Sequence, residues 1–273
     1  MTDVIWKRLV YDGRGQGRGP TRAEGKLTEA ATGRAEAPAV GFAPTSAAEA
    51  QFWAELHRLM ATGAKRWCDV GGGARPLVPL SLIEKFELEY VVLDESSDEL
   101  DQAPAGYERF HASILDEQAI ATLVRERGSF DVVVSRWTAE HIPDGKKFHE
   151  QVYDLLRPGG TAIHFFPTLY SLPFVLNRVL PQSVSGPLLS TGQPDRSKFR
   201  PYYSWCRGPS ERQIQRLQSV GFTVDRYTGY FGHGYFKRVK PLHLADRALA
   251  DRLLRHPLST MTSFAMVVLT RPI

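Results

Sequence analysis

Between residues 47 and 62 the apolar side chains Phe52, Trp53, Leu56, Leu59 and Met60 recur at steps of three and four, which puts them on one face of a helix. Gly63 follows and is suited to end it. Beyond it, short apolar runs alternate with amphipathic stretches. The runs at 66–70, 90–93, 130–135 and 161–167 read as strands, and the stretches at 77–86, 114–127 and 147–156 as helices. Such alternation predicts a parallel sheet covered by helices on both faces, with right-handed crossovers. Gly128 and the Pro158-Gly159-Gly160 turn punctuate the pattern just before two of the strands.

The pattern lapses over 169–208, where prolines and glycines mix with Tyr170, Phe174, Phe199, Tyr202, Tyr203 and Trp205. This stretch is expected to be a cap inserted above the core. Regular structure resumes with a helix at 209–220 closed by Gly221, a strand at 222–227, a helical stretch at 242–255 and a last strand at 263–270. A second insertion is expected over about 229–258. Residues 12–45 are rich in Gly, Pro, Ala, Thr and Arg with no sustained apolar period, so 1–45 is expected to be a mobile arm, either a tail or a lid closing over bound ligands. Residues 46–273 then form one catalytic domain.

The chain has 273 residues, 42% of them hydrophobic, enough for one sizeable α/β core. Its net charge of +4 is spread over scattered Lys and Arg, the pattern of a solvated surface more than of a nucleic-acid footprint. Two cysteines, Cys68 and Cys206, exclude a disulfide framework and a multi-cysteine metal site and suit a reducing compartment. No membrane span is expected, because the most apolar run, 161–176, is short and holds His164, Pro167 and Pro173. The first twenty residues lack the uninterrupted apolar stretch of a secretory signal, so a cytoplasmic location is expected.

The first strand runs into Asp69-Val70-Gly71-Gly72-Gly73-Ala74-Arg75. Glycines there let the backbone turn sharply and approach a ligand closely, and the acid before them can accept a hydrogen bond from it. About 25 residues on, Tyr90-Val91-Val92-Leu93 ends in Asp94 and Glu95, where a carboxylate can accept ribose hydroxyls. With these residues the chain resembles the class I S-adenosylmethionine-dependent methyltransferases. Asp69, Gly71 and Gly73 match that family's acid-x-Gly-x-Gly turn and Asp94 its ribose-binding acid. Phe130-Asp131-Val132-Val133-Val134-Ser135 matches its fourth strand, with Ala139-Glu140-His141-Ile142-Pro143-Asp144 after it, and Leu155-Leu156-Arg157-Pro158-Gly159-Gly160 matches its turn before the fifth.

The resemblance implies an α/β, Rossmann-like sheet of order 3-2-1-4-5-7-6 whose seventh strand is antiparallel. It implies S-adenosylmethionine as cofactor, S-adenosylhomocysteine as product, and Asp69, Gly71, Gly72, Gly73, Asp94, Glu95, Ser113, Ile114, Ser135, Arg136 and Trp137 as cofactor-binding residues. Two positions depart from the family: Arg75 replaces a frequent third glycine, and Ser113 stands where an adenine-contacting aspartate is common, leaving Ser113, the backbone of Ile114 or Asp116 to meet the adenine. The acceptor expected is a small-molecule hydroxyl on a glycan, an aromatic natural product or a lipid-linked intermediate, as the likeness to quinone-biosynthesis and natural-product methyltransferases suggests.

A hydroxyl needs a base near neutral pKa. His141, past the fourth strand beside Glu140, is the first candidate. His233, between Gly232 and Gly234, is the second, while His164 reads as structural. Glu140, Tyr170, Tyr202, Tyr203 and Trp205 are the expected acceptor-side residues; Arg196, Lys198, Arg200 and Arg207 are placed to neutralise an anionic group there. Three other readings stay open: a nicotinamide oxidoreductase, which Pro76 fits poorly at the third glycine position; a cofactor-binding protein without catalysis; and an RNA methyltransferase using Arg14, Arg18 and Arg22.

Overall fold

A computed structural model describes residues 37–169, 201–233, 236 and 240–273. The expected arm up to residue 36, and Tyr170, Phe174, Arg196, Lys198, Phe199 and Arg200, lie outside the described residues. In chain order the elements are β1 (Ala39–Pro44), α1 (Ala48–Ala61), β2 (Arg66–Val70), α2 (Leu80–Phe86), β3 (Glu89–Asp94), α3 (Ser97–Asp101) and β4 (Glu108–His111). They continue with α4 (Glu117–Arg127), β5 (Phe130–Arg136), α5 (Gly145–Leu155), β6 (Leu156–Pro167), α6 (Glu211–Val220), β7 (Thr223–Phe231), α7 (Lys240–Arg255) and β8 (Phe264–Thr270). No helix among the described residues is long and apolar enough to cross a membrane.

The eight strands form one sheet in the order β1-β7-β8-β6-β5-β2-β3-β4. β8 runs antiparallel to both β6 and β7, and every other neighbouring pair is parallel. Counted from β2, this is the expected order with its reversed strand, plus one strand at the far edge. That strand, β1, corrects the expectation that order begins near residue 46. Ala39–Pro44 pairs in parallel with β7, Phe42 stacks on Phe231 at 5.5 Å, and the Thr45 hydroxyl donates to the Phe231 carbonyl at 3.0 Å. Such a strand is held by main-chain bonds to one neighbour, which need no apolar alternation to be read in advance.

Successive strand residues point to opposite faces, and both faces here are covered. Cys68, Val91, Val133 and Ala162 meet Ile120 and Leu123 of α4, Phe148, Val152 and Leu155 of α5 and Leu217 of α6. Trp67, Val92, Val132, Val134, Ile163 and Phe165 meet Phe52, Leu56, Leu59 and Met60 of α1. This double burial is why β2, β3 and β5 read as continuous apolar runs. Helices α4, α5 and α6 start on side-chain caps: Asp116 accepts from the amides of Gln118 and Ala119, Asp144 from those of Lys146 and Lys147, and Ser210 from that of Gln213. Helix α2 starts at Leu80, later than expected, because Leu77 and Val78 lie in a bend whose amides donate to Asp69 Oδ2 and to the Tyr90 hydroxyl.

The aromatic knot on the α1 side is centred on Phe165, whose ring lies 5.7 Å from Phe52, 5.3 Å from Trp137 and 5.9 Å from Tyr230. Phe165→Ala should cost about 3–5 kcal/mol. Urea denaturation followed by fluorescence would show this as a lowered midpoint; an unchanged midpoint would mean that the knot adds little to the fold.

Candidate active site

The carboxyl ends of β2, β3, β4 and β5 lie side by side, with Asp69 opposite Val92 and Val134, and Asp94 opposite His111. Open α/β sheets bind ligands at this edge. At the end of β2, Asp69 is buried, and its Oδ2 accepts from the Leu77 amide and the Tyr90 hydroxyl, both at 2.7 Å. Burial pushes its carboxyl up to about 6, opposed by those two bonds and by the charge of Arg136. Asp69 therefore shapes the turn through contacts inside the protein. The turn passes so near that a Cβ on Gly72 would meet Asp69 Oδ2 at 2.6 Å. Gly71 has φ +77°, donates its amide to the Leu93 carbonyl at 2.7 Å, and would bring a Cβ to 2.3 Å from Thr138 Oγ1.

Asp94 ends β3 half-buried, its Oδ1 accepting from the Ser96 amide at 2.9 Å. Burial raises its pKa, and Glu99 and Glu95 add to the rise, while the amides of Ser96 and Gly73 counter it. Next to it, Glu95 Oε2 accepts from the Ser113 hydroxyl at 3.2 Å and the Glu95 carbonyl lies 3.1 Å from the His111 ring. Ser113 thus stands beside Glu95 just past the end of β3. The Ile114 side chain is buried in the α4-side core, so only its main chain can serve a ligand.

At the end of β5 the expectation for Ser135 needs correction. Its hydroxyl is buried and lies 2.8 Å from His164 Nδ1, because Ser135 shares the sheet face of Val133, which packs into the core. Burial holds His164 well below the usual imidazole range, in keeping with a structural role. Arg136 stands at the edge within electrostatic reach of Asp69. Trp137 has φ +60° and sets its ring edge-on to Phe165 and Phe264, both at 5.3 Å, which makes it a wall of the aromatic knot. Thr138, which the sequence reading passed over, joins this turn to Gly71.

The next turn carries Glu140 and His141. Glu140 is 4% exposed and its Oε1 lies 3.7 Å from His141 Nε2, while the His141 side chain is 33% exposed. Burial pushes the Glu140 carboxyl up to about 8. The Glu140 carbonyl accepts from the amides of Tyr202 and Tyr203 at 2.7 and 2.9 Å, which brings residues 201–207 against the turn.

Of the expected acceptor-side aromatics in that segment, Tyr202 is exposed, Tyr203 is buried in the core, and Trp205 stacks on His149 at 5.6 Å. Tyr203 and Trp205 therefore dock the segment onto α5. Both have positive φ, +53° and +61°, a backbone strain no residue pattern announces. The Glu140 side chain is likewise enclosed. His233 also departs from the expectation of a loop tip. Its side chain is 2% exposed, its Nε2 lies 3.0 Å from Asp246 of α7, and its ring packs on Phe236 at 4.8 Å.

Residues 68–164 match the family model described as a methyltransferase domain. Over these residues the chain carries a methyltransferase domain. The match runs from the glycine turn at the end of β2 to His164 in β6, so it takes in every residue placed above at the ends of β2 to β5. No curated protein sequence matches the chain. Solved structures similar to it include a SAM-dependent methyltransferase from Archaeoglobus fulgidus, at 13% identity and TM-score 0.49, covering 81% of this chain and 93% of that one. Another is an S-adenosylmethionine-dependent methyltransferase from Mesorhizobium loti, at 16% identity and TM-score 0.44, covering 80% and 97%. A third is phosphoethanolamine N-methyltransferase 2 from Haemonchus contortus in complex with phosphomonomethylethanolamine and S-adenosylhomocysteine, at 15% identity and TM-score 0.48, covering 81% of this chain and 53% of that one.

The buried Glu140 carboxyl makes a prediction for the methyltransferase domain. The folded state keeps this proton from the ordinary 4.5 up to about 8, whereas the unfolded chain loses it near 4.5. In that window the folded state binds more protons, so this group lowers stability as pH rises and stops doing so above about 8. Glu140→Gln removes the ionisation. Its melting temperature relative to wild type should therefore be higher at about pH 8.5 than at about pH 5, and a pH-independent difference would show that Glu140 is ionised in the fold.

Proposed function

We propose that the chain transfers a methyl group from S-adenosylmethionine to a hydroxyl of a small molecule, with His141 as general base. The observation that carries this reading is the contact of Thr138 with Gly71, which sets the turn bearing His141 directly against the glycine turn. A cofactor seated at one would present its reactive end to the other.

The residues present fit the cofactor by their chemistry. A half-buried carboxylate with two acidic neighbours and a raised pKa gains from ligand donors, as the two ribose hydroxyls would be. Glu95, Ser113 and the main chain at Ile114 would flank the adenine, and Arg136 would face the amino-acid end, where a carboxylate calls for a cation. When bound, S-adenosylmethionine supplies an electrophilic methyl group on a sulfonium, which departs as a neutral thioether. The protein's own work is then alignment, exclusion of water and handling one proton. Trp137 and its aromatic neighbours form a dry wall. His141 would take the hydroxyl proton as the oxygen attacks, and its exposed third would return that proton to solvent.

Two outcomes test the reading. Asp94→Ala should weaken S-adenosylhomocysteine binding by about 1–3 kcal/mol, the cost of a buried hydrogen bond left unmade, measured by calorimetry; unchanged affinity in a folded variant would remove Asp94 from the site. A metabolite extract incubated with radiolabelled methyl donor identifies the acceptor. On that acceptor His141→Ala should lower turnover by about 100-fold or more with cofactor affinity intact. A loss of only a few-fold would point to an amine or an acidic phenol, for which alignment suffices.

A further inference from the structure

Glu140 is the group near the site that methyl transfer leaves unused. Its side chain is 4% exposed, and its Oε2 is buried with no hydrogen-bond partner among the described residues. An unpaired buried carboxyl oxygen costs stability and is not what packing alone would select. Nor can the turn easily swing it out, because the Glu140 carbonyl is held by the amides of Tyr202 and Tyr203 and its neighbours Ala139 and Ile142 are anchored in the core with Phe148 and Cys206. Its Oε1 faces one titratable partner at ion-pair distance, His141 Nε2 at 3.7 Å.

We propose that Glu140 is a positioning residue for His141, a carboxyl that orients the imidazole and titrates together with it as a pair. The pairing stands on this geometry; its catalytic meaning rests on reading His141 as the base. Among the described residues, the other charged or titratable groups around Glu140 come from three elements. In the docked segment the Cys206 thiol is pushed up by burial and then by the Glu140 charge, and the Arg207 guanidinium donates to the carbonyls of Tyr203 and Cys206. From α5 comes His149, whose Nδ1 donates to the Gly145 carbonyl and which burial holds down to about 4. From β6 comes His164, engaged with Ser135. Both histidines are thus neutral near pH 7, and Cys206 is an un-ionised thiol, which leaves His141 as the described group that faces Glu140 at ion-pair distance. A carboxyl kept neutral by burial leaves the nearby imidazole unprotonated and ready to accept a proton. Once the carboxyl ionises, it favours the imidazolium.

The experiment is an NMR titration of the His141 ring in histidine-labelled protein, its signal assigned with His141→Ala, for wild type and for Glu140→Gln. In wild type the ring should titrate in two steps, its own and a second near the carboxyl's about 8. In Glu140→Gln a single step should remain, with its midpoint moved by about half a pH unit or more. Should that variant fail to fold, Glu140→Asp keeps the charge but withdraws it by one methylene and should move the second step. Superimposable curves for the wild type and whichever variant folds overturn the pairing. The two readings fail separately. Two-step titration with an active His141→Ala sinks the base and keeps the pair, while an inactive His141→Ala with unchanged curves keeps the base and sinks the pair.

Discussion

Asp69 ends β2 with one carboxylate oxygen shared between the Leu77 amide and the Tyr90 hydroxyl, and the geometry of the whole sheet edge follows from that sharing. Burying the carboxylate costs on the order of several kcal/mol, and only well-placed donors offset it. Those donors come from the stretch leading into α2 and from β3. The charge therefore draws both onto the end of β2, and the chain between, Gly71 to Pro76, has to close in a tight turn. Glycine is required there because Asp69 on one side and Thr138 on the other fill the space a side chain would take.

The same edge shows a division of labour between charges that are enclosed and charges that face outward. Asp69 and Glu140 are both buried carboxyls with raised pKa values, yet Asp69 is bonded and Glu140 has an unpaired oxygen. Asp94 lies between, half-buried and partly bonded by main-chain amides. A ligand with hydroxyl donors can complete Asp94 without unfolding anything, whereas Asp69 Oδ2 already accepts from two donors inside the protein. On the far side, the docked segment 201–207 reaches the edge through the main chain of Glu140 and the ring of His149. Any acceptor pocket built on that segment is thereby coupled to the turn bearing His141.

Most of the sheet, with the glycine turn and the acids at its carboxyl edge, was legible in the sequence because it depends on local rules. Doubly buried strands make unbroken apolar runs, and a glycine turn followed by strand-ending acids has few other uses. What escaped depends on contacts between distant segments. Strand β1 is recruited by β7 through main-chain bonds, Thr138 matters only through Gly71, and His233 is covered by Asp246 of a helix whose docking no spacing reveals. Tyr203 and Trp205 turn inward through positive φ values that their residue types do not advertise. Ser135 was within reach: period-two alternation puts it on the face of Val133, in the core.

The central claim is that the carboxyl ends of β2, β3 and β4 form one cofactor site. Amide chemical shifts of the isotope-labelled protein, followed as S-adenosylhomocysteine is added, test it most directly. The account predicts saturating shifts at Gly71, Gly72, Gly73, Glu95 and Ser113, with Leu88, Gly106 and Gly128 at the opposite end of the strands unmoved. Shifts centred on that opposite end, or no shifts at the glycine turn at saturating ligand, would contradict it.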